Sequence, residues 1–262
     1  MNYNNYEKLA VEAAHIGGNI LKRYFNKTMD FDTKSGAGIV TLADKESEQV
    51  ISDFFNKKTP EFSILGEETG LNEKGKNRWI VDPLDGTTNF FHGFPHFNIS
   101  IALEFDEKIV AGVIYNPVTD EIYRCSKGSG SYKNNKQIFV SKTKDLSMSM
   151  LGTGFAYQRG KVLDESLELF RKFTYAAQGI RRPGAAALDL CYLACGIYDG
   201  FYEKTLNPWD VAAGSLLISE AGGKVTDYSG KEFSVYSKNI LGSNGLIHDQ
   251  LIKIIRETYP SA

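Results

Sequence analysis
Two aspartates, Asp82 and Asp85, follow the apolar run Trp79-Ile80-Val81 and precede Gly86-Thr87-Thr88-Asn89. Pro83 blocks simple continuation of a strand and lets the chain turn, so both carboxylates can face one point. Gly86 to Asn89 offers backbone N–H groups and hydroxyls in a turn that can lead into a helix, an anion-binding arrangement. Glu67 and Glu68 follow another short apolar stretch, and Asp210 sits behind Asn207-Pro208-Trp209. Carboxylates that converge repel one another and are driven toward protonation unless cations intervene. No run of Arg or Lys lies beside these segments; Arg78 is the nearest. All-oxygen donors suit Mg2+, which is commonly held by a few carboxylates plus substrate phosphate. A pair of such ions polarises a phosphoryl oxygen, generates hydroxide from water and stabilises a leaving alkoxide. The residue types point to metal-assisted attack of water on a phosphate ester.

Each group also has a plain structural reading. Asp210 fits a first-turn acid favoured by the helix dipole. Glu67-Glu68 fits a solvated turn, Asp82 to Gly86 a simple turn, and Thr41-x-x-Asp44 a capping box. Spacing alone does not bring these segments together. Cys191 and Cys195, four apart in an apolar helical pattern, read as helix packing rather than metal ligands. Gly93 and Pro95 break any helix between His92 and His96, and with His15 and His248 they offer no metal spacing. Those two histidines read as loop or interface residues.

The elements that must position the acids follow from periodicity. Apolar residues at Tyr6, Leu9, Ala13, Ile16, Ile20 and Tyr24 predict a helix over 4–26. Thr41 opens a second helix with Val50, Ile51, Phe54 and Phe55 as its apolar face, and 62–65 is a short strand. Residues 97–140 read as an antiparallel meander: ISIALEF, KIVAGVIYN, EIYRC and SYKNNKQIFV. Helices are then expected at 163–175, 185–195, 209–221 and 246–257, with extended segments at 179–182, 197–202 and 223–226. A strand-rich middle between helical layers argues a mixed α/β (α+β) fold of stacked layers. No linker is visible. The expected division is a half of residues 1–145 and a half of residues 146–262, closely packed as one globular unit.

With 262 residues, 42% hydrophobic and 24% charged, the chain can bury a large core. A formal net charge of −2 gives no global field for nucleic acid or anionic membrane. No apolar stretch is long enough to span a bilayer, and the N-terminal residues lack signal-peptide character. Three cysteines without an export signal read as reduced thiols in a cytoplasmic protein.

Gly66-Glu67-Glu68, the motif WIVDPLDGTTNF at 79–90 and WDVAAGSLLISEAGG at 209–223, with VTLAD at 40–44 and DGFYE at 199–203, resemble the inositol monophosphatase family. This is the lithium-sensitive, magnesium-dependent phosphatase superfamily that includes fructose-1,6-bisphosphatases. The resemblance implies a layered αβαβα sandwich and a homodimer. It implies Glu67, Asp82 and the carbonyl of Leu84 as ligands of a first Mg2+. Asp82, Asp85 and Asp210 would hold a second, with Glu67 helping to hold a third through water. Mn2+ is the expected substitute, and Li+ and Ca2+ are the expected inhibitors. Gly86 and Thr87 resemble phosphate-contacting residues. Asp44 would hydrogen-bond Thr87, and Thr87 with Glu67 would orient the attacking water. Glu203 resembles the residue that binds a substrate hydroxyl, with Asp85, Ala186 and Asp210 along the same wall.

The sequence departs from the family pattern at that wall. Arg182-Pro183-Gly184-Ala185-Ala186-Ala187 stands where many relatives have Arg-x-Gly-Ser-Ala-Ala, so a hydroxyl is missing at Ala185 and Pro183 stiffens the approach. Gly128-Ser129-Gly130 reads as a hairpin turn rather than a nucleotide loop. Inositol 1-phosphate leads as substrate, with the 2′-phosphate of NADP or fructose 1,6-bisphosphate as alternatives. Arg181 and Arg182 would contact a larger phosphorylated substrate or pack a dimer. The loop 34–38 would close over the phosphate, and Tyr157, Gln158 and Arg159 would shape the pocket. A regulatory protein-binding role without strong catalysis is the alternative of another class.

Overall fold
The computed structural model describes residues 3–27, 31–33, 39–155 and 159–259. The first half contains α1 (Asn4–Tyr24), β1 (Phe31–Thr33), β2 (Ile39–Thr41), α2 (Leu42–Lys58), β3 (Ser63–Gly66), β4 (Gly70–Asn72), β5 (Arg78–Asp85), α3 (Thr87–Phe91), β6 (Asn98–Phe105), β7 (Lys108–Asn116), β8 (Glu121–Ser126), β9 (Ser131–Lys133) and β10 (Lys136–Ile138). The second contains β11 (Met150–Thr153), α4 (Lys161–Ala176), β12 (Gly179–Arg181), α5 (Ala186–Ala194), β13 (Gly200–Lys204), α6 (Pro208–Glu220), β14 (Lys224–Thr226), β15 (Asn239–Ser243) and α7 (His248–Thr258).

The described strands form a two-stranded antiparallel pair, β1-β2, an eight-stranded sheet, β10-β9-β8-β7-β6-β5-β3-β4, and a five-stranded sheet, β12-β11-β13-β15-β14. Helices α1 and α2 cover the outer face of the large sheet. Helices α5 and α6 fill the space between the sheets, and α4 with α7 covers the outer face of the small sheet. The layered αβαβα sandwich implied by the resemblance is the architecture observed. Middle-layer helices face a sheet on both sides, which is why α6 is buried continuously from Val211 to Ile218 and carries no polar face. Cys191 and Cys125 are buried in this middle core, as packing residues, and all three cysteines are free. Among the described residues no helix is long and apolar enough to cross a membrane.

Two expected faces are rotated. The deepest line of α1 is the small-residue stripe Ala10, Ala13, Ala14, Gly17 and Gly18, closed at its C-terminal end by Leu21, with Leu9, Ile16 and Ile20 flanking it. Small residues let the helix axis approach the sheet closely, so the bulky apolar side chains end up at the margins. The buried stripe of α2 is Ala43, Asp44, Ser47, Glu48, Ile51 and Phe55, while Val50 and Phe54 lie to its side. Three polar residues on a core-facing stripe mean that this helix serves something other than packing alone. Strands β11 and β15 were not expected. Both are short, and β15 is held in the interior of its sheet by antiparallel pairing to β13 and β14, which local sequence does not encode.

Candidate active site
Asp82 and Asp85 both belong to β5, which does not stop at Pro83. Residues three apart in a regular strand point to opposite faces. Here Asp82 pairs with Ser100 and Asp85 with Asn98, so β5 advances three residues while β6 advances two. That bulge restores a common side for the two acids, and Pro83, with no N–H to lose, sits within it. The expected turn is therefore corrected: strand pairing continues, and an extra residue does the aiming. The Leu84 N–H donates to Asp82 Oδ1 at 3.0 Å.

Gly86 follows with φ 87° and ψ 37°, a left-handed conformation that starts α3. The Thr87 hydroxyl faces Asp44 Oδ1 at 3.0 Å and the Leu84 carbonyl at 3.1 Å. Asp44 Oδ2 accepts from the Thr41 N–H at 2.8 Å and the Thr41 hydroxyl at 2.6 Å. The two readings of Asp44 thus hold together: it closes the capping box of α2 and also receives Thr87. Burial raises its pKa, and the bonds from Thr41 and Thr87 oppose that rise.

The acids meet across elements. Asp82, 1% exposed, has its carboxyl pushed well up by burial and by the charges of Glu67, Asp85 and Asp210, and it is hydrogen-bonded to Glu67. Asp85 Oδ2 accepts from Asn98 Nδ2 at 2.8 Å and from the Ala187 N–H at 2.9 Å. Burial raises Asp85 to about 6 despite these donors and the Ala186 N–H. Ala186 thus contributes its backbone at the start of α5, directed at Asp85. Asp210, in the first turn of α6, accepts from the Asn207 N–H at 2.6 Å, and burial, Asp85, Glu67 and Glu203 push its carboxyl up. Glu203, at the end of β13, is raised to about 8 by burial, an effect that Arg182 opposes. The Arg182 guanidinium lies over the Phe155 ring at 5.7 Å, next to this wall.

No cation is among the leading influences on Asp82, Asp85 or Asp210. Among the described residues no three His, Cys, Asp or Glu side chains are drawn tightly enough to form a ready-made metal cage. The donor set nevertheless fits a hard dication. It consists of carboxylates with a raised cost of ionisation and the Leu84 carbonyl, whose second lone pair is free of the Thr87 bond. Asn89 Nδ2 donates to the carbonyls of His96 and Pro183, tying α3 to the chain that leads into α5.

Of the remaining candidates, Glu68 sits in the turn after β3 with its N–H bound to Glu48. His92 is exposed, and His96 is buried with Nε2 3.7 Å from Asp189. The Gly128 and Gly130 N–H groups donate to the Glu220 carboxylate at 2.8 and 2.9 Å, so that hairpin binds the chain's own side chain. The loop 34–38, Tyr157 and Gln158 lie outside the described residues. Sequence reasoning missed Glu48, Asn89 and Asn98. The signal for Glu48 was its place one turn after Asp44 on a helix face that otherwise continues into Ile51 and Phe55.

A five-layer sandwich with an acid cluster at the end of a bulged interior strand defines a layered α/β enzyme with an oxygen-donor site. A profile of the inositol monophosphatase family matches residues 2–259. Inositol-1-monophosphatase of Rhizobium meliloti is 42% identical over 260 residues, covering 96% of each chain. Nus factor SuhB of Vibrio cholerae is 39% identical, covering 97% of each. The crystal structure of extragenic suppressor protein suhB from Bartonella henselae superposes with a TM-score of 0.91 at 40% identity, covering 95% of this chain and 98% of that one. The chain belongs to the inositol monophosphatase family, a family of metal-dependent phosphatases.

Proposed function
We propose that the protein is a Mg2+-dependent phosphomonoesterase acting on a small phosphorylated polyol, with inositol 1-phosphate the first candidate. The observation that carries this reading is the bulge in β5, which turns Asp82 and Asp85 to one side within the field of Glu67 and Asp210. Glu67, Asp82, Asp85, Asp210 and the Leu84 carbonyl would hold the ions. Bound there, Mg2+ would supply a nucleophile at neutral pH and offset charge on the phosphoryl and leaving oxygens. With its one hydrogen shared between Asp44 and the Leu84 carbonyl, the Thr87 hydroxyl keeps lone pairs free to accept. Thr87 would therefore take a hydrogen bond from the attacking water, and Glu67 would take the other. The Gly86 and Thr87 N–H groups would hold phosphate oxygens, and Glu203 a substrate hydroxyl. Burial raises Glu203 to about 8, which favours its protonated form, and so an O–H donor to that hydroxyl. Free thiols fit a reducing, cytoplasmic setting, and a homodimer is the proposed assembly.

Phosphate release from inositol 1-phosphate, fructose 1,6-bisphosphate and NADP, with Mg2+ and with EDTA, tests this. Release from the first substrate that needs Mg2+ is expected. No Mg2+-dependent release from any phosphomonoester would overturn it. The likeness to Nus factor SuhB of Vibrio cholerae favours a second reading, a regulatory protein-binding role, and the same negative result would support it.

A further inference from the structure
Helix α2 presents three polar side chains to the buried edge of the site: Asp44, Ser47 and Glu48, each fully buried. Asp44 receives Thr87. The Ser47 hydroxyl donates to the Pro83 carbonyl at 3.1 Å, inside the bulge that aims Asp82 and Asp85. Glu48 reaches the third piece. Its Oε2 accepts from the Glu68 N–H at 2.9 Å and its Oε1 from the Thr69 N–H at 2.8 Å. Both oxygens are engaged, so the carboxylate is a two-point clamp on the turn between β3 and β4.

Glu67 lies inside that clamp. On one side its own N–H donates to the Val81 carbonyl at 3.2 Å, one residue before Asp82. On the other, the next two N–H groups are fixed by Glu48. Gly66 completes the seat, because a Cβ there would stand 2.6 Å from the Glu48 carboxyl carbon and 2.6 and 2.7 Å from its oxygens. The carboxylate fills the volume that a side chain at position 66 would take. A charge-assisted pair of bonds in a buried place is stronger and more directional than a neutral one. Filling the stripe does not by itself call for a carboxylate; the Glu68 and Thr69 N–H groups are what need the acceptor.

We propose that Glu48 is a positioning residue. By clamping the turn from Gly66 to Thr69, it fixes the Glu67 carboxylate against Asp82 and so sets the affinity of the site for dications. The inference rests on the reading of Glu67 as a metal ligand and extends it one layer outward, to a residue that touches neither ion nor substrate. Groups that orient ligands commonly change metal affinity about 10- to 100-fold when altered.

The test is Mn2+ binding to the metal-free protein, followed by titration calorimetry or electron paramagnetic resonance, with circular dichroism and thermal melts reporting folding. Glu48→Gln keeps the shape but turns an NH2 toward one of the two N–H donors. Gly66→Ala attacks the same seat from the other side. Each folded variant is expected to bind Mn2+ about tenfold or more weakly, with a parallel rise in the Mg2+ concentration for half-maximal activity. Rate at saturating Mg2+ should fall far less than in Glu67→Gln, because Glu67 is loosened but still present. Glu48→Ala combined with Gly66→Ala should cost less than the two separate losses added, since both break one clamp. Glu67→Gln is the control. If it weakens Mn2+ binding while folded Glu48→Gln and Gly66→Ala bind as wild type, Glu48 only stabilises the fold and the proposal fails. If Glu67→Gln also binds as wild type, Glu67 is no ligand, and the site reading falls with it.

Discussion
At the scale of the residue, Asp82 is the most exposed to a decisive test. It is the acid on which Glu67, Asp85 and Asp210 all act, and it is the most deeply buried of the four. Asp82→Asn keeps an Oδ1 acceptor for the Leu84 N–H but removes a carboxyl whose ionisation burial and the neighbouring acids oppose. In EDTA the variant should therefore melt no lower than wild type. Its kcat at saturating Mg2+ should fall by at least about 10³-fold, the scale of losing a charge placed where the transition state needs it. Thermal melts and phosphate release measure both. A variant that is folded and turns over at the wild-type rate refutes the assignment. The acid types were legible in the sequence because catalysis on a phosphate ester restricts the donors to oxygen. The bond from the Thr87 hydroxyl to Asp44 was expected from the family resemblance alone; spacing could not give it, because the two residues lie forty-three apart.

At the scale of the element, most helices could be read from their periodicity and caps, and α2 begins at the expected Thr41. The bulge in β5 could not, since it exists only in the pairing with Ser100 and Asn98 of β6. Pro83 was a true signal of irregularity that local reasoning turned into the wrong kind. Strand β15 was missed for a related reason, having five residues whose place is fixed by two partners. Its end is tied to α7 through His248. His248 Nδ1 lies 2.8 Å from the Ser243 hydroxyl, which accepts from the Gly245 N–H, and Nε2 lies 3.0 Å from the Thr226 hydroxyl, which donates to the Asp227 carbonyl. The Thr226 direction puts a ring hydrogen on Nε2, and in the neutral ring Nδ1 then accepts from the Ser243 hydroxyl. Burial, helped by Lys224 and opposed by Asp249, lowers its pKa to about 4. The unfolded chain binds this proton below about 6.5 while the folded one refuses it until about 4, so stability falls as pH drops through that window. The loss assignable to His248 should be about 1–3 kcal/mol. Urea midpoints at pH 7 and pH 4.5 measure it: His248→Gln should be weaker at pH 7 and lose less on acidification than wild type. An equal loss in both would remove His248 as the cause.

At the scale of the whole molecule, the site exists only where layers meet. Asp82 and Asp85 come from the large sheet, Asp210 and the N–H groups on Asp85 from the middle helices, and Glu203 from the small sheet. The sequence suggested two halves near residue 145. The structure builds the large sheet wholly before that point and the small sheet wholly after it, yet α5 and α6 from the second half cover the inner face of the first. We therefore expect one cooperative unfolding transition rather than two. An unfolded chain scatters these carboxylates, so a dication that binds them binds the native state alone and stabilises it by linkage. At a free metal concentration of about 100 times the dissociation constant the gain is ~2.7 kcal/mol. For a chain of this size that corresponds to a rise in Tm of roughly 5–10 °C. Scanning calorimetry in EDTA, Mg2+ and Mn2+ should give a single peak that moves up with metal and returns on chelation. Asp210→Asn should reduce that movement, because it removes the one proposed metal ligand supplied by the second half. Two separate peaks, with only the one belonging to the first half responding to metal, would mean that the second half contributes no ligand and that the acids do not form one site.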